Sequence, residues 1–161
     1  MPTIAIVLGV CVVLLIGATL LTERGKKKLA GKGMIIQRDK KFMENAEIFT
    51  LKPISGNQLT EGLRKVNSET KVGIEGSVSR GYRLDGGSWS KWTARLTCQQ
   101  MDQTQSVFRF TFTEWKTDGG NAEDDISMNI VLTAVEKMFL EMDPNTRVQT
   151  VPVEYHTSHD S

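Results

Sequence analysis

Few residues in this chain could carry out acid–base, nucleophilic or metal chemistry. The two histidines, His156 and His159, both fall among the last residues. Their spacing of three would suit a metal on a helix face, but the polar tail around them predicts no helix. Cys98 lies on the expected core side of a strand, so an inert, buried thiol is predicted. The sequence therefore predicts no catalytic constellation, no metal site and no cofactor.

One acidic cluster needs a separate interpretation. Glu123, Asp124 and Asp125 directly precede an apolar helical pattern, and acidic residues stabilise a helix N-terminus. A Ca²⁺ or Mg²⁺ loop would need ligands at alternating positions, which the local sequence DGGNAEDD does not offer. The chain also lacks a P-loop and a G-x-G-x-x-G motif. We therefore expect helix capping here, and a protein that is not an enzyme.

An interaction surface is the alternative to catalytic chemistry. Arg95, Arg109 and Thr111 alternate with apolar residues, so they are expected on the sheet face opposite the core. Trp89 shares the odd numbering of Arg95, and Trp115 breaks the alternation of Phe108, Phe110 and Phe112. Both tryptophans lie either on that same face or, where a bulge or strand end intervenes, in the core. Exposed aromatic residues beside arginines are typical of protein-binding surfaces, so these five residues form the candidate surface.

The first residues carry the strongest apolar signal. Residues 3–21 are 19 residues without a charge, and as a helix they would span about 28 Å, close to the ~30 Å hydrocarbon core of a bilayer. No basic residue precedes them, unlike in a cleaved signal peptide. Residues 1–22 are therefore predicted to be a retained transmembrane anchor. Its small residues would permit weak self-association: Ala5, Gly9 and Gly17.

Charge is distributed unevenly along the chain. Residues 1–44 contain eight Lys or Arg against three Asp or Glu, a net charge of +5, whereas residues 45–161 contain twelve against sixteen, a net charge of −4. Basic residues beside a membrane segment stay cytoplasmic, which predicts a single-pass cell-membrane protein with its N-terminus outside and its domain in the cytoplasm. The acidic balance of the domain argues against a nucleic-acid partner.

Residues 23–44 are interpreted as a basic juxtamembrane tether. Lys and Arg near a membrane surface attract anionic lipid, so the bilayer is an expected partner. The candidate lipid contacts are Arg24, Lys26, Lys27, Lys28 and Lys32.

Residues 45–155 alternate between strand and helix patterns. The predicted elements are a strand at 46–51, a short helix at 58–66 capped by Asn57, strands from 72 toward 84, at 92–98 and at 108–112, and a long helix at 126–142. Residues 147–155 form an edge strand or an extended tail because Pro152 interrupts the pattern. Residues 156–161 are expected to be a disordered tail.

The order β-α-β-β-β-α predicts a small α+β domain. Its sheet is mainly antiparallel and covered on one face by two helices, which bury Phe108, Phe110 and Phe112.

Three functions remain open at this point. The first is a membrane-tethered cytoplasmic binding module with an unidentified protein partner. The second is an enzyme or small-ligand domain with a pocket between sheet and helices, and the third is an accessory subunit of a larger membrane complex. A filled core with an exposed sheet face would favour the first over the second.

Overall fold

The computed structural model of the chain describes residues 26–86, 91–153 and 157–160. It divides the chain into two units, Met1–Gln37 and Arg38–Ser161. In the first unit, residues 26–31 are helical and are followed by a turn. The second unit contains the sheet and the helices that position the candidate site.

The predicted membrane anchor requires a correction. Across the described residues, no helix combines the length and the apolar composition needed to cross a bilayer. Residues 3–21, from which the anchor was predicted, lie outside the described part of the chain. The prediction of a single-pass membrane architecture is therefore wrong for the described fold. The second unit is a small α+β domain with a mainly antiparallel sheet and three helices.

Eight strands form one sheet within the described residues. They are β1 (Asn45–Leu51), β2 (Gly73–Ser77), β3 (Gly81–Gly86), β4 (Trp92–Met101), β5 (Ser106–Asp118), β6 (Asn121–Ala122), β7 (Arg147–Pro152) and β8 (Thr157–Asp160). The main path runs β2-β3-β4-β5-β1-β7, and β6 and β8 both pair with β5. All pairs are antiparallel except β5 with β8. Strand β8 lies where the sequence predicted a disordered tail.

The first predicted strand of the meander is in fact a hairpin. A turn at residues 78–80 separates β2 from β3, which pair antiparallel. Gly76 and Gly81 have φ angles of +138° and +77°, a region that glycine adopts readily because it lacks a Cβ. A Cβ at Gly76 would collide with the backbone of Gly81. These two glycines explain why the chain reverses instead of extending from residue 72 to 84.

Two long helices follow from the apolar stripes in the sequence. Helix α1 (Gly56–Thr70) begins after a capping box in which Ser55 and Gln58 exchange hydrogen bonds of 2.8 and 3.2 Å, so Ser55, not Asn57, is the N-cap. Helix α2 (Asp125–Met142) buries Val131, Val135 and Phe139 and ends before Asp143 and Pro144. A third helix is a single 3₁₀ turn, Phe42–Glu44.

Both long helices pack on the same face of the sheet. The predicted burial of Phe108, Phe110 and Phe112 is confirmed, since all three are at most 1% exposed. Phe139 of α2 stacks on Phe108 with ring centroids 5.0 Å apart, and it also contacts Phe49 at 4.8 Å. These rings fill the space between the sheet and α2.

A glycine allows the two helices to approach each other. A Cβ at Gly62 of α1 would collide with the side chains of Met138 and Met142 on α2. Lys65 of α1 also pairs with Glu141 of α2 at 2.6 Å on the exposed side. The helices therefore form a continuous layer over one face, which we call the covered face.

Candidate binding face of the sheet

The opposite side of strands β3, β4 and β5 presents polar side chains, and we call it the open face. Directly paired residues share a face of a sheet. One cross-strand row runs from Arg83 through Arg95 to Thr111, and the next pairs Thr97 with Arg109. The row between these two, formed by Tyr82, Leu96 and Phe110, points to the covered face and belongs to the core. Period-two alternation thus separates arginine and threonine from phenylalanine along the same strands.

The predicted residues Arg95, Arg109 and Thr111 all lie on this open face. Arg95 is exposed, and its Nη2 donates a hydrogen bond of 3.1 Å to the carbonyl oxygen of Arg80. Arg109 is partly buried, and its Nε donates to Oγ1 of Thr111 at 3.3 Å. Among the described residues, no carboxylate forms an ion pair with either guanidinium. Within the described residues, both positive charges therefore lack an opposite charge in an ion pair.

Arg83 is in a different electrostatic position from the other two arginines. Its Nε lies 3.0 Å from Oδ2 of Asp85, and Glu75 lies directly opposite it on β2. Asp85 also accepts a 2.8 Å hydrogen bond from the Thr93 hydroxyl. Glu114 lies opposite Thr93 on the other side, so Asp85, Thr93 and Glu114 form one cross-strand row. Its two carboxylates make this end of the open face acidic.

The two predicted tryptophans do not join this surface in the described structure. Trp89 lies outside the described residues. Trp115 is only 4% exposed and belongs to the core, so its expected exposure is corrected. The register of β4 and β5 shifts between Thr93 and Ala94, which leaves Thr113 without an opposite residue. This bulge turns Trp115 to the covered face, opposite Trp92, as the second of the two sequence interpretations required.

The predicted lipid contacts belong to the first unit. Lys26, Lys27 and Lys28 lie in its helical stretch, and Lys32 lies in the turn that follows. All except Lys26 are exposed, and Arg24 lies outside the described residues.

Two residues of the open face were missed by the sequence analysis. Arg83 was overlooked because residues 72–84 were treated as one strand, which hid its position opposite Arg95. Thr97 shares the alternation of Arg95 within the predicted strand at 92–98, but it was not included in the candidate surface. Its hydroxyl lies 3.4 Å from the carbonyl oxygen of Arg109. Gly76 and Gly81, on either side of the β2–β3 turn, could have indicated the hairpin from the sequence.

A buried ionic cluster at the margin of the covered face was also missed. Nη2 of Arg38 lies 2.7 Å from Oε2 of Glu136 on α2, and Nη1 lies 3.8 Å from Oε1 of Glu47 on β1. The three side chains are 11%, 16% and 7% exposed, respectively. One arginine thus faces two carboxylates with little access to water.

Neutral groups complete this cluster. The Thr150 hydroxyl donates to both carboxylate oxygens of Glu47, at 2.9 and 3.1 Å, and Nε of Arg38 lies 3.4 Å from Oδ1 of Asn129. Burial raises the pKa of Glu47, while the Thr150 hydrogen bond and the Arg38 charge partly oppose that increase. The sequence did contain a sign that Glu47 is buried. It lies two residues before Phe49 in β1, and residues two apart in a strand point to the same face.

Three other features were considered as possible sites: the Cys98 thiol, groups of metal-ligating side chains, and the groove between the two long helices. Cys98 is a partly buried free thiol that packs against the core, and burial raises its pKa, which disfavours the reactive thiolate. In the described part of the chain, no three His, Cys, Asp or Glu side chains are grouped as a metal site would require. A groove of about 450 Å³ lies between the helices and is lined by Gln58, Glu61, Gly62, Lys65 and Met142.

No protein-family model matches the chain, and no curated protein sequence matches it.

Proposed function

We propose that this protein is a non-catalytic binding module whose open face docks a protein partner. The observation that carries the proposal is the pair Arg95 and Arg109, which lie on one sheet face with no carboxylate partner among the described residues. Arginine supplies five donors in a planar fork and is enriched in protein interfaces. Among the described residues, each of the two guanidinium groups has a single hydrogen bond, to Arg80 and Thr111 respectively.

The covered face supports this proposal over a pocket between sheet and helices. Phe49, Phe108 and Phe139 are each fully buried, and their rings lie about 5 Å apart. Ligand pockets are concave cavities with a few convergent polar groups, whereas this layer is packed with aromatic rings. The groove between α1 and α2 is lined by residues of the two helices and by none of these rings.

The overall charge of the module favours a protein partner over a nucleic acid. Residues 45–161 carry a net charge of −4, and nucleic-acid binding domains usually carry a positive stripe. Two arginines at the centre of a mildly acidic module suit a local contact better than a polyanion.

The test is recovery of partners from source cells with the tagged full chain. We expect a protein that binds the wild type and is lost with the double variant Arg95→Ala/Arg109→Ala. Arg64→Ala is the matched control, because Arg64 is an equally charged, exposed residue on α1. Equal recovery by the double variant, or no specific recovery by any form, would contradict the proposal.

A further inference from the structure

We infer that the open face recognises an acidic polypeptide segment, with a carboxylate held between Arg95 and Arg109. This inference rests on the proposed function and names the chemistry of the partner. The four residues concerned form a square on β4 and β5, with the two arginines at opposite corners and Thr97 and Thr111 at the other two.

Like charges that lie directly opposite in a sheet are unfavourable. Arg83 and Arg95 form such a pair. Arg83 forms an ion pair with Asp85, whereas Arg95 forms none with any described carboxylate, although Asp85 and Glu114 lie in the next row. Arg95 contributes one hydrogen bond to a main-chain carbonyl and keeps most of its donors available. An external carboxylate would relieve the repulsion that the folded chain leaves in place.

The spacing of the square suits a carboxylate. Diagonal neighbours on adjacent antiparallel strands lie about 7–8 Å apart at Cα, which long side chains can bridge. Guanidinium groups bind carboxylates through paired, charge-assisted N–H···O bonds. The Thr97 and Thr111 hydroxyls are already close to Arg109, at 3.4 Å from its carbonyl oxygen and 3.3 Å from its Nε. The Thr111 hydroxyl thus contacts the guanidinium that would bind the carboxylate, whereas the Thr97 hydroxyl contacts the main chain of Arg109.

The boundary of the square explains why a short acidic segment fits better than a nucleic acid. Asp85 and Glu114 lie in the next cross-strand row, beyond Arg95. A phosphate chain carries charge at regular, close intervals and would meet this acidic row as well as the arginines. A polypeptide can place its acidic residues at the square and neutral residues over the acidic row.

The test measures binding of labelled peptides to the full chain by fluorescence anisotropy. The probes are a short glutamate-rich peptide, the same peptide with glutamine in place of glutamate, and a single-stranded RNA of similar net charge. We expect the glutamate peptide to bind and its affinity to fall as salt rises from about 50 to about 500 mM, because exposed charges are screened. The glutamine peptide should not bind.

Substitutions of the two arginines test whether the glutamate peptide binds at the square. Arg95→Ala/Arg109→Ala should weaken binding of the glutamate peptide at least about tenfold, and Arg95→Lys/Arg109→Lys should restore only part of it, because lysine lacks the bidentate fork. Arg64→Ala should bind like the wild type. Circular dichroism of each variant confirms that it is folded.

Each alternative outcome overturns the inference. Binding of the glutamine peptide equal to that of the glutamate peptide, or binding unchanged in the double alanine variant, would exclude a carboxylate at the square. Tighter binding of the RNA would assign the face to nucleic acid. If the peptides fail while a cellular partner still depends on Arg95 and Arg109, the binding module stands and its partner is not acidic.

Discussion

Two regions of this molecule use arginine in opposite ways. At the margin of the covered face, Arg38 is 11% exposed and lies 2.7 Å from Glu136, with Glu47 next to it. On the open face, Arg95 is exposed and has no carboxylate partner among the described residues. Burying a charge without a counter-charge costs several kcal/mol, whereas water solvates an exposed one. Compensation by a carboxylate is therefore required for folding at Arg38, whereas at Arg95 water solvates the charge and leaves it available for the partner that we propose.

The largest expected effect comes from opening a cavity on the covered face. Changing Phe110 to Ala removes a ring that is 1% exposed and packs edge-to-face on Phe112 at 5.1 Å. The free energy of unfolding should fall by about 3–5 kcal/mol, a large share of the total for a small domain. Denaturant unfolding followed by circular dichroism measures this change. Thr111→Ala, one residue along β5 on the open face, is the control and should shift stability by no more than about 0.5 kcal/mol.

The next effect tests the buried ionic cluster. Changing Arg38 to Ala leaves Glu47 and Glu136 facing each other without a counter-charge, and breaking a buried pair in this way costs about 3 kcal/mol. The same unfolding measurement on Arg95→Ala should give a loss of at most about 0.5 kcal/mol. If the two variants lose equal stability, the contrast between buried and exposed arginines is wrong.

A third prediction concerns the pH dependence of stability. Burial raises the pKa of Glu47 above 4.5, so the folded state binds this proton more tightly than the unfolded state does. The contribution of Glu47 to the free energy of unfolding is therefore greatest below pH 4.5 and declines as pH rises through the raised pKa. Asp143 acts in the opposite sense and in a lower range, because hydrogen bonds from the Lys52 and Asn145 amides lower its pKa from 3.8.

Glu47→Gln should remove this decline. Glutamine can still accept the Thr150 hydroxyl, and Arg38 keeps Glu136. The stability of the variant relative to the wild type should therefore rise between pH 4.5 and pH 7, as measured by unfolding at a series of pH values. If the difference in stability between the variant and the wild type stays constant across this range, the pH dependence arises from a group other than Glu47.

The sequence predicted the parts of the fold that depend on periodicity. The alternation of Phe108, Phe110 and Phe112 was enough to assign both faces of β5 as far as residue 112, and with them the positions of Arg109 and Thr111. The stripe of α2 was equally clear, since its buried residues recur every three or four positions. Both signals extend over many residues, so an error of one or two at the ends does not change the face.

Features that depend on a single residue were not predictable in the same way. The bulge at Thr113 reverses the face of Trp115, and threonine in a strand gives no sign of an extra residue. The ionic cluster joins Arg38, Glu47 and Glu136 across almost one hundred positions, and pairing at that distance depends on the tertiary fold. Glu47 itself was visible as a charge among inward-facing residues, but its partner was not.

The smallest expected effect on stability is the most informative for function. Arg109→Ala should change the free energy of unfolding by no more than about 0.5 kcal/mol, because it removes a hydrogen bond of 3.3 Å to Thr111 and no ion pair with a described residue. If the open face is the binding site, the same change should still weaken the partner measurably. A loss of stability similar to that of Arg38→Ala would mean that Arg109 serves the fold. Unchanged stability with unchanged binding would contradict a carboxylate held between Arg95 and Arg109. Each measurement therefore tests whether the covered face stabilises the domain while the open face serves the proposed binding.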